Sequence, residues 1–123
     1  MAPRKVLIID DDPVTRRLLH GALTAENFVT CMAADALSAL TQARAAHPDL
    51  ILLDLGLPAG GGYQFLERLK QFPHLAVIPV IVISGLDRSA NEPRALAAGA
   101  VAYIAKPVLH EQVVERVRDV LAA

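Results

Sequence analysis

Apolar residues along this chain recur in two alternating rhythms. Short β-branched runs, "KVLII" (5–9), "FVTCM" (28–32), "LILL" (50–53), "VIPVIVI" (77–83) and "VAYI" (101–104), read as strands. Four of these five are apolar on both faces, the mark of a parallel sheet covered by helices on each side. Between them the spacing turns helical. Val14, Leu18, Leu19, Ala22 and Leu23 form one stripe and Leu37 and Leu40 a second. Phe65, Leu66, Leu69 and Phe72 form a third; Val113, Val114, Val117, Val120 and Leu121 form the clearest of all. An Ala-rich segment over 92–98 predicts a further helix closed by Gly99. The pattern is α/β: a (βα)5 chain with short loops, hence an open, doubly wound, five-stranded parallel sheet.

In such sheets the ligand site lies at the carboxyl ends of the strands, where the strand order switches. Asp10 and Asp11 follow the first predicted strand, Asp54 the third, Ser84 the fourth and Lys106 the fifth. The second ends in Ala33 and Ala34, which carry no chemistry. The polar groups are therefore expected to converge on one rim.

Composition narrows the function classes. The chain has 123 residues, enough for one domain with a substantial core, so residues 1–123 are expected to form a single unit. Hydrophobic residues at 54% against 20% charged exclude disorder. A formal net charge of −1 gives no broad footprint for nucleic acid. The apolar stretch "LAVIPVIVISGL" is interrupted by Pro79 and Ser84 and falls short of the roughly 18 residues of a membrane span. With one cysteine, Cys31, no internal disulfide is available; a cytoplasmic location without membrane contact is expected.

The triplet of aspartates in "VLIIDDDP" carries the chemistry. Asp12 followed by Pro13 is a helix start, the Asp capping and the Pro taking the first helical position. That does not account for Asp10 and Asp11. Placed beside Asp54 they would repel at low dielectric unless a cation sat among them, and a hard divalent ion with oxygen ligands, Mg2+, fits best. With that ion and Lys106 beside it, Asp54 becomes a candidate nucleophile for phosphoryl transfer, since both lower its repulsion with the incoming group. Lys106 before Pro107 marks a fixed turn, with a cis bond as one option. Ser84, otherwise a turn hydroxyl before Gly85, is placed to hydrogen-bond a phosphoryl oxygen. His20, His47, His74 and His110 show no ligand spacing, Cys31 reads as a strand residue, and Asp35 reads as a helix cap.

In "VLIIDDDP", "LLDLGLP", "VIVISG" and "YIAKP", in that order and spacing, the chain resembles the receiver domain of two-component response regulators over nearly its full length. The resemblance implies the flavodoxin-like strand order 2-1-3-4-5 and Asp54 as phosphoacceptor. It implies Mg2+ held by Asp11 directly, by Asp10 through water, by Asp54 and by the Gly56 carbonyl. Ser84 and Lys106 would grip the phosphoryl oxygens, and Tyr103 would act as an aromatic switch with Ser84. The donor would be a phosphohistidine on a sensor histidine kinase or phosphotransfer protein. It would dock on the first helix, where Val14 and Leu18 offer apolar contact (or core) and Arg16 and Arg17 charge. The output would be a re-shaped surface of the fourth helix, last strand and last helix, with Leu96, Val101 and Tyr103 on or near it, for a downstream protein target.

Three departures from the family pattern stand out. Gly61 replaces a frequent acidic residue before Gly62, and Val101 and Ala102 replace frequent acidic residues before the last strand. Gly56 and Leu86, two residues beyond Asp54 and Ser84, offer no polar group to orient a hydrolytic water, so a long-lived aspartyl phosphate is expected. The chain is then not an enzyme beyond assisting its own phosphoryl transfer and slow loss. After "VRDVLAA" no output segment follows in the 123 residues, an arrangement equally suited to a free-standing receiver or a piece of a larger regulator. Two other readings compete. "DDDPV" also fits a haloacid-dehalogenase-type phosphatase with Asp10 as nucleophile and Asp12 as acid/base, and the fold could serve as a non-phosphorylated interaction module.

Overall fold

The computed structural model describes residues 2–122. Five strands and five helices alternate: β1 (Lys5–Ile9), α1 (Pro13–Thr24), β2 (Val29–Ala33), α2 (Ala36–Ala46), β3 (Leu50–Asp54), α3 (Gly61–Lys70), β4 (Val80–Ser84), α4 (Arg88–Ala97), β5 (Ala102–Ala105) and α5 (His110–Ala122). A 3-10 turn at Pro58–Gly60 leads into α3, and one turn of helix at Pro73–Ala76 precedes β4. All strand pairs are parallel and the order is β2-β1-β3-β4-β5, the flavodoxin-like arrangement expected.

Strand residues alternate between two cores, as a period of two requires. Leu7, Ile9, Ile51, Leu53, Val80 and Val82 face α2, α3 and α4, packing on Ala39, Phe65, Leu69 and Ala95. Val6, Ile8, Leu50, Leu52, Ile81 and Ile83 face α1 and α5, packing on Leu19, Leu23, Val113 and Val117. Both faces of the central strands are thus buried, which explains their unbroken apolar runs. No helix among the described residues is long and apolar enough to cross a membrane.

Several boundaries differ from expectation for local reasons. β2 lies one residue later than 28–32. β4 begins at Val80 rather than 77, because Pro79 cannot donate to the ladder and Val77 is left exposed after the helical turn. α4 starts at Arg88, not 92: Asp87 caps it by accepting from the Ala90 N–H at 3.1 Å, and Pro93 lies inside the helix. Two predicted stripes also shift. Val14 is 54% and Leu18 50% exposed, while Leu19 and Leu23 carry the α1 contact. In α2 Leu37 is 77% exposed, and the small side chains of Ala39 and Ala43 meet the sheet instead.

Candidate functional site

The strand order puts the ends of β1 and β3 side by side, with β2 and β4 diverging from them, and this switch point holds the acidic residues. Asp54 is the last residue of β3, and Asp10 follows the last residue of β1. Asp10 is 3% and Asp54 7% exposed, whereas Asp11 projects into solvent. One carboxylate oxygen from each of the three lies within 4.8 Å of the other two.

Each carboxylate is held differently. Asp54 Oδ1 accepts from the Gly56 N–H at 2.8 Å, and Oδ2 faces Lys106 Nζ at 3.2 Å. Asp10 Oδ1 accepts from the Asp12 N–H at 2.9 Å, and Oδ2 lies 3.6 Å from the same ammonium. Burial pushes the Asp10 carboxyl above its ordinary 3.8; the Asp12 N–H opposes this, the charges of Asp54 and Asp11 add to it, and Lys106 opposes it. Burial works against the Lys106 charge, but Asp54 and Asp10 outweigh it and hold the ammonium above its ordinary 10.5. One ammonium therefore lies against two of the three clustered carboxylates. The donor set consists of hard oxygens converging from two strand ends, the chemistry suited to Mg2+, so the residues fit that ion.

The surrounding turns fix these groups. The Lys106–Pro107 bond is cis, and the Lys106 N–H donates to the Ser84 carbonyl at 2.8 Å, tying the ends of β4 and β5 together. Ser84, fully buried, closes β4, and its Oγ accepts from the Leu86 N–H at 3.0 Å. Gly56 lies in the exposed turn above Asp54; a Cβ there would come 3.2 Å from Asp54 Oδ1. A Cβ on buried Gly61 would make ordinary contacts with Leu57 and Ala36.

Asp12 caps α1 as expected, accepting from the Val14 N–H at 3.0 Å and from Thr15 Oγ1 at 2.8 Å. Those bonds hold its carboxyl below the usual range and commit both oxygens to the helix. A phosphatase acid/base would have to face Asp10 instead, so this geometry disfavours the phosphatase reading. Asp35 likewise caps α2 through the Ser38 N–H at 2.7 Å.

Tyr103 is buried on the α4 side of the sheet beside Val82 of the neighbouring strand, while Leu96 and Val101 are exposed, and its hydroxyl has no hydrogen-bond partner among the described residues. Two residues have structural roles that the sequence reading did not assign to them. Arg16 Nη1 donates to the Asp10 carbonyl at 2.6 Å, and no spacing rule separates it from the exposed Arg17. Gly62 permits α3 to approach the end of β3, since a Cβ would lie 2.7 Å from Leu55 Cα. The glycine cluster was the available signal.

Comparison with known proteins agrees with this geometry. A family model described as the response regulator receiver domain matches residues 6–118. The polar-differentiation response regulator DivK of Brucella ovis is 32% identical over 118 residues, covering 96% of each chain. A putative response regulator from Chloroflexus aurantiacus superposes with a TM-score of 0.89 at 32% identity, covering 98% of this chain and 99% of that one. A CheY-like receiver domain protein from Methanospirillum hungatei gives a TM-score of 0.89 at 28% identity, covering 98% and 94%. The chain belongs to the response regulator receiver domain family of two-component signalling.

Proposed function

We propose that this chain accepts a phosphoryl group from a phosphohistidine onto Asp54 and uses the modification to re-shape its α4–β5–α5 surface. The observation that carries the reading is the convergence of Lys106 Nζ, 3.2 Å from Asp54 Oδ2, with Asp10 and Asp11 at the same strand-end switch point. Asp10, Asp11, Asp54 and the Gly56 carbonyl are the groups proposed to hold Mg2+. When bound, that ion supplies positive charge against the phosphoryl oxygens and relieves repulsion among the carboxylates.

An Asp54 carboxylate oxygen attacks phosphorus while the P–N bond of the donor breaks. The departing imidazole keeps the electron pair of that bond. Lys106, already paired with Asp54, follows the negative charge onto a phosphoryl oxygen. Ser84 Oγ, which now accepts the Leu86 N–H, turns its own hydrogen toward another. That movement pulls on the chain leading into α4 through Leu86 and Asp87. Tyr103 responds from the neighbouring strand, where its ring lies buried beside Val82.

The donor protein, a sensor histidine kinase or a phosphotransfer protein, is proposed to dock beside this rim. Val14 and Leu18 lie exposed on α1, next to a groove of about 370 Å³ lined by Thr15, Leu19, Lys106, Pro107, Val108 and Val113. Arg17 supplies charge there, while Arg16 is occupied at the Asp10 carbonyl. Leu96 and Val101, exposed on the other side, are offered to the downstream protein target.

The test is incubation with acetyl phosphate and Mg2+, followed by intact-mass measurement and peptide mapping. One phosphoryl group on Asp54, absent in Asp54→Asn, is the expected result. Sustained hydrolysis of p-nitrophenyl phosphate with no stable label would favour the phosphatase. Wild-type signalling by Asp54→Asn would favour a non-phosphorylated module. The label is also expected to persist, because Gly56 and the half-exposed Leu86 present no polar group to an attacking water. Gly56→Asn combined with Leu86→Glu should shorten its lifetime about a hundredfold, the lower end of what a positioned proton-transfer or water-orienting group contributes. Decay followed by phosphate release decides it.

A further inference from the structure

We infer that Arg16 is a positioning residue for the acidic pocket, acting through the backbone to aim Asp11. The inference rests on the functional reading above, in which Asp11 is a metal ligand. The peptide between Asp10 and Asp11 begins at the Asp10 carbonyl, and the orientation of that peptide plane decides where the Asp11 side chain points. Asp11 itself is exposed at the strand end, so its aim depends on the backbone that carries it.

Beyond β1 the sheet's support runs out at this residue. The Asp10 N–H still donates to the Ala33 carbonyl at 3.1 Å, but the Asp10 carbonyl is met by the Arg16 guanidinium at 2.6 Å, reaching back from one turn into α1. The Arg16 N–H donates to the Asp12 carbonyl at 3.1 Å, and the Asp12 N–H donates to Asp10 Oδ1 at 2.9 Å. These bonds close a ring from Asp10 to Arg16. Within it the peptide leading to Asp11 is held from outside the pocket. A charge-assisted bond of this length is stronger than a neutral one.

The idea makes a prediction of unusual sign. A guanidinium near a cation site repels the cation, so plain electrostatics expects Mg2+ to bind more tightly once Arg16 is neutralised. Positioning expects the opposite. Partners that orient first-contact ligands typically change metal affinity by about 10–100-fold when removed.

The experiment measures Mg2+ affinity by calorimetry on unphosphorylated wild type, Arg16→Met and Arg17→Met, with amide exchange at Asp11 and Asp12 in the metal-free proteins. The expected result is a dissociation constant raised about tenfold in Arg16→Met, with faster exchange at both amides. Arg17→Met should bind as tightly as wild type or more so. Phosphorylation of Arg16→Met by acetyl phosphate should recover at saturating Mg2+, as weakened ion binding requires. Affinity equal to or tighter than wild type in Arg16→Met overturns the inference, as does equal weakening in both variants. Should Arg16→Met fail to fold, Arg16→Gln, too short to reach the carbonyl, is read by the same criteria. If wild type itself neither binds Mg2+ nor labels at Asp54, the functional reading falls first.

Discussion

Two residues show how much one atom can matter. At Gly62 a Cβ would stand 2.7 Å from Leu55 Cα and 2.9 Å from the Leu55 carbonyl oxygen, both backbone atoms that cannot swing aside. Gly62→Ala is expected to lower stability by about 2 kcal/mol, the cost of overpacking, as a reduced urea midpoint. Gly60 has φ +72° and open space around it, so Gly60→Ala should cost only left-handed strain, about 1 kcal/mol. Cys31 tests a different property. Burial raises its thiol above the ordinary 9.0, while the Lys5 charge opposes the rise. The folded state thus holds the thiol proton more tightly than the unfolded chain. The stability this contributes is full below pH 9.0 and is lost as pH rises through the folded value. Iodoacetamide should therefore react more slowly with the folded protein than with the urea-unfolded chain at pH 8, and accelerate only in more alkaline buffer.

Among the elements, α3 and α4 are joined by a specific contact. Tyr63 Oη donates to Asn91 Oδ1 at 2.7 Å, the Arg94 guanidinium lies 3.7 Å from the Tyr63 ring centroid, and Asn91 Nδ2 donates to the Asp87 carbonyl at 2.8 Å. Tyr63→Phe keeps the ring under Arg94 and removes the hydrogen bond, so a loss of about 1 kcal/mol is expected. A double-mutant cycle with Asn91→Ala should recover most of that loss as coupling energy. Element type and order were legible in the sequence because buried parallel strands and amphipathic helices have different periods. The faces were less legible. Nine residues at about 100° each place Leu23 opposite Val14, so one α1 stripe could not bury both. In α2 the sheet takes Ala39 and Ala43 because small side chains allow close approach, while a reading weighted by hydrophobic size favours Leu37. The start of α4 was hidden by Pro93, which removes a helical N–H but leaves the Asp87 cap and the first turn intact.

At the scale of the whole molecule, the site was legible as residue types at strand ends, and the topology brings Asp10, Asp11, Asp54, Ser84 and Lys106 to one rim. What the sequence could not carry were long-range backbone contacts such as Arg16 on the Asp10 carbonyl, which have no fixed spacing. Tyr103's inward position was equally hidden, since either orientation of its ring satisfies the strand pattern. The assembled rim has a thermodynamic signature. Without a divalent cation, the fold confines Asp10 and Asp54 near one lysine, and burial disfavours the charge on Asp10. Replacing Asp10 by Asn keeps an oxygen for the Asp12 N–H and removes a desolvated charge. In chelator at neutral pH, Asp10→Asn should therefore be the more stable protein by on the order of 1 kcal/mol, about 4 °C in a domain of this size. Adding Mg2+ should reverse the order: wild type gains Tm with the logarithm of the ion concentration above its dissociation constant, and Asp10→Asn gains less. Crossing of the two Tm curves in a Mg2+ titration ties the instability and the metal affinity to the same carboxylate. Parallel curves would separate them, leaving Asp10 as an ordinary buried acid with no part in holding the ion.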